Sequence, residues 1–340
     1  MKKSIVTLLT GLLLSAALPV TAFAQELIVG GQAVGIRVRT EGVLVSGTAP
    51  VETAEGAVSP AEAAGLREGD RILGVNGRTL HGAAELIEAV GELDGAPVEL
   101  EICRGEQRLQ REVQPALSAE GRWMLGMWLR DAVTGIGTVT FCDPETGVYG
   151  ALGHGLTDEE LGTQVPLETG TITEAEICGV TPGSAGAPGA LNGEFGSGRI
   201  LGTVDYSGSC GIYGTAERAF GSFTAEVGHV QTGPASILAT VDGREVREFA
   251  VQITRVYRDG NGEHVMLSVT DGELLNLTGG IVQGMSGSPI LQEGKLVGAV
   301  THVFVSDPSR GYGLSIQDML DAAGIREQAA KGSSSSTRSG

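Results

Sequence analysis

The sequence predicts a mainly β protein of two domains, a small α+β domain followed by a larger all-β domain of barrel type. Three observations carry this prediction. The chain has 340 residues, enough for two separate cores. Its 54 glycines are roughly twice ordinary usage and, without low-complexity repeats, imply many tight turns between short strands. The texture also changes beyond Trp123, from strands mixed with short helices to short apolar runs punctuated by glycine.

The termini and the charge narrow the class. Lys2 and Lys3, an apolar stretch from Ile5 to Leu18, and Ala22-Phe23-Ala24 before Gln25 follow the order of a secretory signal peptide. Residues 1–24 are therefore expected to be a signal peptide or a retained anchor, with the body facing outward. The serine-rich end, residues 329–340, is expected to be a disordered tail. An excess of 41 acidic over 23 basic residues gives a formal charge of -18, which repels phosphate backbones and anionic lipid, so no nucleic-acid partner is expected. Cys103, Cys142, Cys178 and Cys210 form no C-x-x-C pair and read as small buried apolar residues, with no metal site and no cofactor implied.

In the smaller domain, Val34 to Val38 and Gly42 to Val45 read as strands. Ser59-Pro60-Ala61-Glu62 has the pattern of a capping box with proline at the first helical position, and Gly65 closes that short helix. Gly69 to Gly77 gives a strand ending in an Asn-Gly turn, and Ala83, Leu86, Ile87 and Val90 follow at helical spacing. The run Ala-Gly-Leu-x-x-Gly-Asp-x-Ile-x-x-Val-Asn-Gly at residues 64 to 77 resembles the PDZ domains appended to bacterial proteases. That resemblance implies a PDZ domain over 30–116, in which a peptide adds as a strand beside the helix. The amides of Ala33, Val34, Gly35 and Ile36 would hold its carboxylate.

The larger domain, 120–328, contains strand-like runs such as Gly135 to Phe141, Arg199 to Val204 and Phe249 to Ile253. Near its end, Ser315 and Asp318 cap a helical face of Ile316, Met319, Leu320 and Ala323. Its most informative segment is Gly284-Met285-Ser286-Gly287-Ser288-Pro289. A serine between glycines sits on a sharp turn that exposes its hydroxyl, and the Gly284 and Ser286 amides can converge there as an oxyanion hole. The pattern resembles the nucleophile loop of chymotrypsin-like proteases, which implies a double β-barrel.

A serine needs a base to take its proton. Among five histidines, His81 and His264 lie in other settings, which leaves His154, His229 and His302. His154 ranks first because its distance from Ser286 in the chain suits two barrels facing one cleft. A carboxylate should orient the imidazole, and Asp271, Asp158 and Asp205 compete, with Asp271-Gly272 equally readable as an ordinary turn.

The order of leader, PDZ, Gly-His-Gly, then Gly279 to Pro289 and Gly298 to Val305, closely resembles the stage IV sporulation protein B peptidase family, as do Tyr149 to His154, Asp307-Pro308 and Gly311-Tyr312-Gly313. The resemblance implies a spore-former's secreted serine endopeptidase with a triad of His154, Asp271 and Ser286. It further implies export from the forespore into the space between two membranes, self-cleavage, and cutting of the extracytoplasmic part of a membrane-bound inhibitor. That cut would release an intramembrane metalloprotease that processes a late sigma factor. The rivals are a non-catalytic PDZ scaffold and a general extracytoplasmic quality-control protease, whose PDZ follows the protease instead of preceding it. Two features depart from the wider chymotrypsin pattern: the carboxylate lies close to the serine, and Met285 stands where an aspartate often forms the activation ion pair. Gly155 after the histidine also counts against a rigid loop.

Overall fold

The computed structural model describes residues 25–157 and 166–325, so the expected leader and tail lie outside the described residues. Strand β1 (Glu26–Val29) and the long strand β2 (Ala33–Thr48) open the fold. β2 serves two bodies. Its first part alternates buried Val34, Ile36 and Val38 with exposed Arg37 and Arg39, the period-two pattern of a strand with one face on a core. Its last part enters the smaller domain, where Val43 pairs with Ile72.

That domain contains helix α1 (Pro60–Ala63), strand β3 (Arg71–Val75), helix α2 (Ala83–Glu92) and the hairpin of β4 (Val98–Arg104) and β5 (Gln107–Val113). The Asn-Gly turn after β3 has φ of 49° at Asn76 and 75° at Gly77, the left-handed pair that a tight hairpin requires. Asp70 is buried, and it accepts hydrogen bonds from Arg104 at 2.7 and 2.8 Å and from the Arg67 amide at 2.9 Å. This explains the Gly-Asp of the motif: the carboxylate ties the strand start to β4. On α2, Leu86 and Val90 are buried, while Ile87 is exposed. The capping box does not form at α1, because Ser59 makes no side-chain cap and Glu62 accepts from Thr48.

A second long strand, β6 (Met127–Cys142), leaves the smaller domain and runs back beside β2 along most of its length. With β7 (Val148–Ala151), β8 (Leu167–Thr181), β9 (Ala190–Val204) and β10 (Gly211–Thr215), β2 and β6 enclose the first barrel, which closes through a bridge between Gly202 and Ala216. The second barrel is closed by β11 (Gly233–Ala239), β12 (Arg247–Asp259), β13 (Gly262–Val269), β14 (Pro289–Gln292), β15 (Lys295–Val303) and β16 (Arg310–Ser315). Helix α3 (Gly272–Thr278) lies between β13 and the serine loop, and α4 (Ile316–Ala322) follows β16 with Ser315 as its cap. The protein is mainly β, with the PDZ-type module ahead of most of the double barrel.

Two expectations are corrected. Residues 30 to 40 belong to the first barrel, so the smaller domain begins near Val43 and is an insertion between β2 and β6. Ala33, Val34, Gly35 and Ile36 form no carboxylate-binding loop. Ala33 to Ile36 pair with Ile136 to Thr138 and Gly135 of β6, and Val34 to Ile36 pair on the other side with β8, so their amides face sheet partners. The strand that runs past the N-terminus of α2 is β6, where Asp131 accepts from the Ala83 amide at 2.8 Å.

Asp70→Ala should lower the stability of the smaller domain by about 3 kcal/mol, because Arg104 would lose its buried partner. Chemical denaturation followed by Trp123 fluorescence measures it.

Candidate active site

Ser286 sits on the loop between α3 and β14, at the junction of the two barrels. The Thr138 amide donates to the Ser286 carbonyl at 2.9 Å, and the Thr138 and Thr140 hydroxyls donate to the carbonyls of Gly284 and Gly287, each at 2.8 Å. The amides of Met285, Gly287 and Ser288 are bonded to Val282, Val300 and Met285 carbonyls. Among the described hydrogen bonds, those of Gly284 and Ser286 are unused, which leaves two donors for an oxyanion. Gly287 has φ of 95°, and a Cβ there would stand 2.0 Å from the Thr138 carbonyl oxygen, so only glycine fits this crossing.

His154 reaches the same place from the first barrel. Leu152 and Gly153 both have φ of 69°, and this left-handed pair turns the chain out of β7 and toward the cleft. For Leu152 that conformation stores strain of about 1–2 kcal/mol, offset by full burial and by its amide donating to the Thr138 carbonyl. His154 and Ser286 line one cleft of about 1140 Å³, whose walls include Ile136, Leu191, Phe195 and Val282. In the resting arrangement the Ser286 hydroxyl donates to the Thr301 carbonyl at 2.7 Å, and His154 Nδ1 lies 2.9 Å from the Gly155 carbonyl. Among the described hydrogen bonds none joins Ser286 to His154, so proton transfer requires the Ser286 hydroxyl to leave the Thr301 carbonyl. Burial pushes the His154 pKa below the usual imidazole value, opposed by the Gly155 carbonyl, so the ring is neutral and able to accept a proton at neutral pH.

His302 stands against His154 with ring centroids 4.7 Å apart. Burial against the cleft wall, then the nearness of His154, lowers its pKa as well. The sequence marked it only as a histidine following the Gly298 to Thr301 strand, close after the serine loop.

Asp271 is not brought to this cleft. It caps α3, accepting from the Glu273 and Leu274 amides at 3.0 Å and from Ala250 at 3.3 Å, and these bonds, Leu274 foremost, hold its carboxyl below the usual range. A carboxylate occupied by three amides and facing Arg247 is a helix cap, which corrects its expected place beside His154. Asp158 lies outside the described residues, and Asp205 is exposed and accepts from Thr215. His229 is exposed, His264 pairs with Asp259, and His81 pairs with Glu168. All four cysteines are free; Cys103 and Cys142 are buried as expected of small apolar residues, but Cys178 is exposed and Cys210 only half-buried.

A serine on a glycine-flanked turn with open amides, faced by a neutral histidine between two β-barrels, defines a serine peptidase, here carrying a PDZ-type module. The model of the SpoIVB peptidase S55 family matches residues 121–320, and that of the PDZ domain matches residues 53–104. The chain belongs to the SpoIVB peptidase S55 family and is a serine endopeptidase.

Shorter similarities accompany this. The chain is 36% identical over 69 residues to a protein of Clostridium perfringens named as a zinc metalloprotease, covering 20% of this chain and 21% of that one. It is 39% identical over 80 residues to one of the same description from Xylella fastidiosa, covering 23% and 16%. The chain thus spans about a fifth of the length of these curated relatives. Among solved structures, the active form of the Rv3671c protease from M. tuberculosis aligns with 58% of this chain and 74% of its own, at 13% identity and a TM-score of 0.34. An inactive serine-to-alanine form of it aligns at 12% identity and a TM-score of 0.32, covering 58% and 80%.

Two outcomes follow from this geometry. Gly287→Ala should cost about 3 kcal/mol or more and abolish hydrolysis, since the new methyl enters the Thr138 crossing; thermal melting and a peptide assay check it. Because the His154 pKa is lowered, the base form persists below the ordinary value of 6.5, and kcat/KM should fall only at lower pH. A pH–rate profile with its acid limb above 6.5 would contradict the assignment.

Proposed function

We infer that this peptidase acts outside the cytoplasm as a signalling enzyme of sporulation. In this reading it cleaves itself and then cuts the extracytoplasmic part of a membrane-bound inhibitor, thereby activating intramembrane proteolysis of a late sigma factor precursor. Family membership and the leader-like order of Lys2, Lys3 and the apolar stretch to Leu18 support the reading. Among the described residues no helix is long and apolar enough to cross a membrane.

The observation that carries the activity is the junction of His154 and Ser286 in one cleft, with the Gly284 and Ser286 amides unspent. His154 takes the Ser286 proton as the hydroxyl attacks a peptide carbonyl, and the two amides stabilise the oxyanion. The imidazolium then gives its proton to the leaving amine, and water, deprotonated by the same ring, releases the acyl group.

Ser286→Ala should leave the full-length protein folded but uncleaved. It should reduce peptide hydrolysis by roughly a millionfold, to background. Expression in a spore-forming host, with immunoblots of the enzyme and of the processed sigma factor, reads both levels. Undiminished self-cleavage in this variant would overturn the nucleophile, and a processed sigma factor without active enzyme would overturn the biological role.

A further inference from the structure

The walls of the cleft carry almost no charge. Among the described residues that line it, the ionisable ones are His154, His302 and Arg130, and none is a carboxylate. Arg130 belongs to the stem of the smaller domain, where it is paired with Leu44. A lysine, arginine, aspartate or glutamate side chain pressed against the apolar walls would therefore be stripped of water without gaining an ion partner. When Ser286 attacks with the carbonyl oxygen on the Gly284 and Ser286 amides, the Cβ of the substrate residue that supplies the carbonyl stands two bonds from the reacting carbon. His154, on the first-barrel side, must face the leaving amine. The acyl side chain then turns to the second-barrel walls beside Ser286, which are Ile281 and Val282 ahead of the serine and Thr301 to Val303 of β15.

The recess between these walls is closed by Ile281. Its side chain is 2% exposed and packs directly on β16, since a Cβ at Gly311 would stand 2.5 Å from Ile281 Cδ1 and 2.8 Å from the His302 carbonyl oxygen. Val303 is paired with Gly311 across the same two strands, so the side of the recess is as near as its floor. Ile281 is also fixed from behind: its amide donates to the Pro308 carbonyl at 2.8 Å, and a Cβ at Gly280 would stand 2.1 Å from that same oxygen.

We propose that Ile281, together with Val303, determines where this peptidase cuts: the two side chains form a shallow apolar seat that takes alanine or valine immediately before the scissile bond and rejects aromatic and charged residues. The inference rests on the peptidase reading and deepens it. A phenylalanine ring could enter only by pushing Ile281 into the second core, where Ile281 already packs with Leu274 and Val282. An excess of a few carbons in a closed apolar pocket lowers kcat/KM by about ten- to a hundredfold.

The test uses the full chain, with casein as a disordered probe whose cleavage sites are mapped by mass spectrometry. The cuts should follow alanine and valine. Quenched peptides built on the fastest site, identical except for alanine, valine, leucine, phenylalanine, lysine or aspartate before the bond, then give kcat/KM, each normalised to fluorophosphonate labelling of Ser286. Phenylalanine, lysine and aspartate should fall at least about tenfold below alanine. Ile281→Ala deepens the seat and should raise the phenylalanine-to-alanine ratio by about tenfold while lysine and aspartate stay poor. Val303→Ala widens the seat from the other side and should move the ratio in the same direction, a readout that does not require the Ile281 variant to fold. Wild-type cleavage after phenylalanine, lysine or aspartate as fast as after alanine would overturn the seat, as would a folded variant that keeps the wild-type ratio, or a wild-type protein that labels at Ser286 yet cuts no site. If wild-type Ser286 itself failed to label, the peptidase reading would fall instead.

Discussion

The Thr138 crossing is the constraint on which the site depends. One residue of the first barrel donates its amide to the Ser286 carbonyl and its hydroxyl to the Gly284 carbonyl, while its own carbonyl receives the Leu152 amide. The serine turn and the histidine turn are thus both fastened to the same residue. Gly287 permits the approach, because any side chain there would occupy the space of the Thr138 oxygen. A catalytic constellation must be held to within about half an ångström, and main-chain bonds between ordered strands supply that rigidity better than surface ion pairs do.

The same crossing explains how two separate cores yield one reactive surface. Ile237, Phe249 and Val265 fill the second barrel, and Val34, Val139 and Ile172 fill the first. Ala33, Ile177 and Leu191 of the first barrel pack into the second core, so the interface is apolar as well as hydrogen-bonded. In the cleft, burial holds His154 neutral without a described carboxylate against it.

The mainly β class, the Asn-Gly hairpin and the serine loop were legible because each rests on a local rule: period two, left-handed turn residues, and glycine where the backbone must pass closely. The fate of Ala33 to Ile36 was not. A small apolar run beside a PDZ-like motif reads as part of that motif, and sheet partners distant in sequence decided otherwise. Asp271 misled for a related reason. Asp-Gly can open a hairpin, cap a helix or supply a carboxylate, and only the packing of Leu274 into the second core selects the cap. His302 was visible as a candidate, but its contact with His154 depends on how the two barrels meet.

The inserted position of the smaller domain has a mechanical meaning. Its entry and exit strands lie side by side, with Leu44 paired to Arg130 and Arg39 paired to Ala132, so deleting everything between would leave an ordinary hairpin. The module hangs on a two-stranded stem whose register shifts between Arg130 and Ala132, where Gly42 has φ of 75°. The ribbon that carries the module is the same one whose Thr138 fastens the serine turn, so the appended domain and the reaction centre are built on one continuous strand.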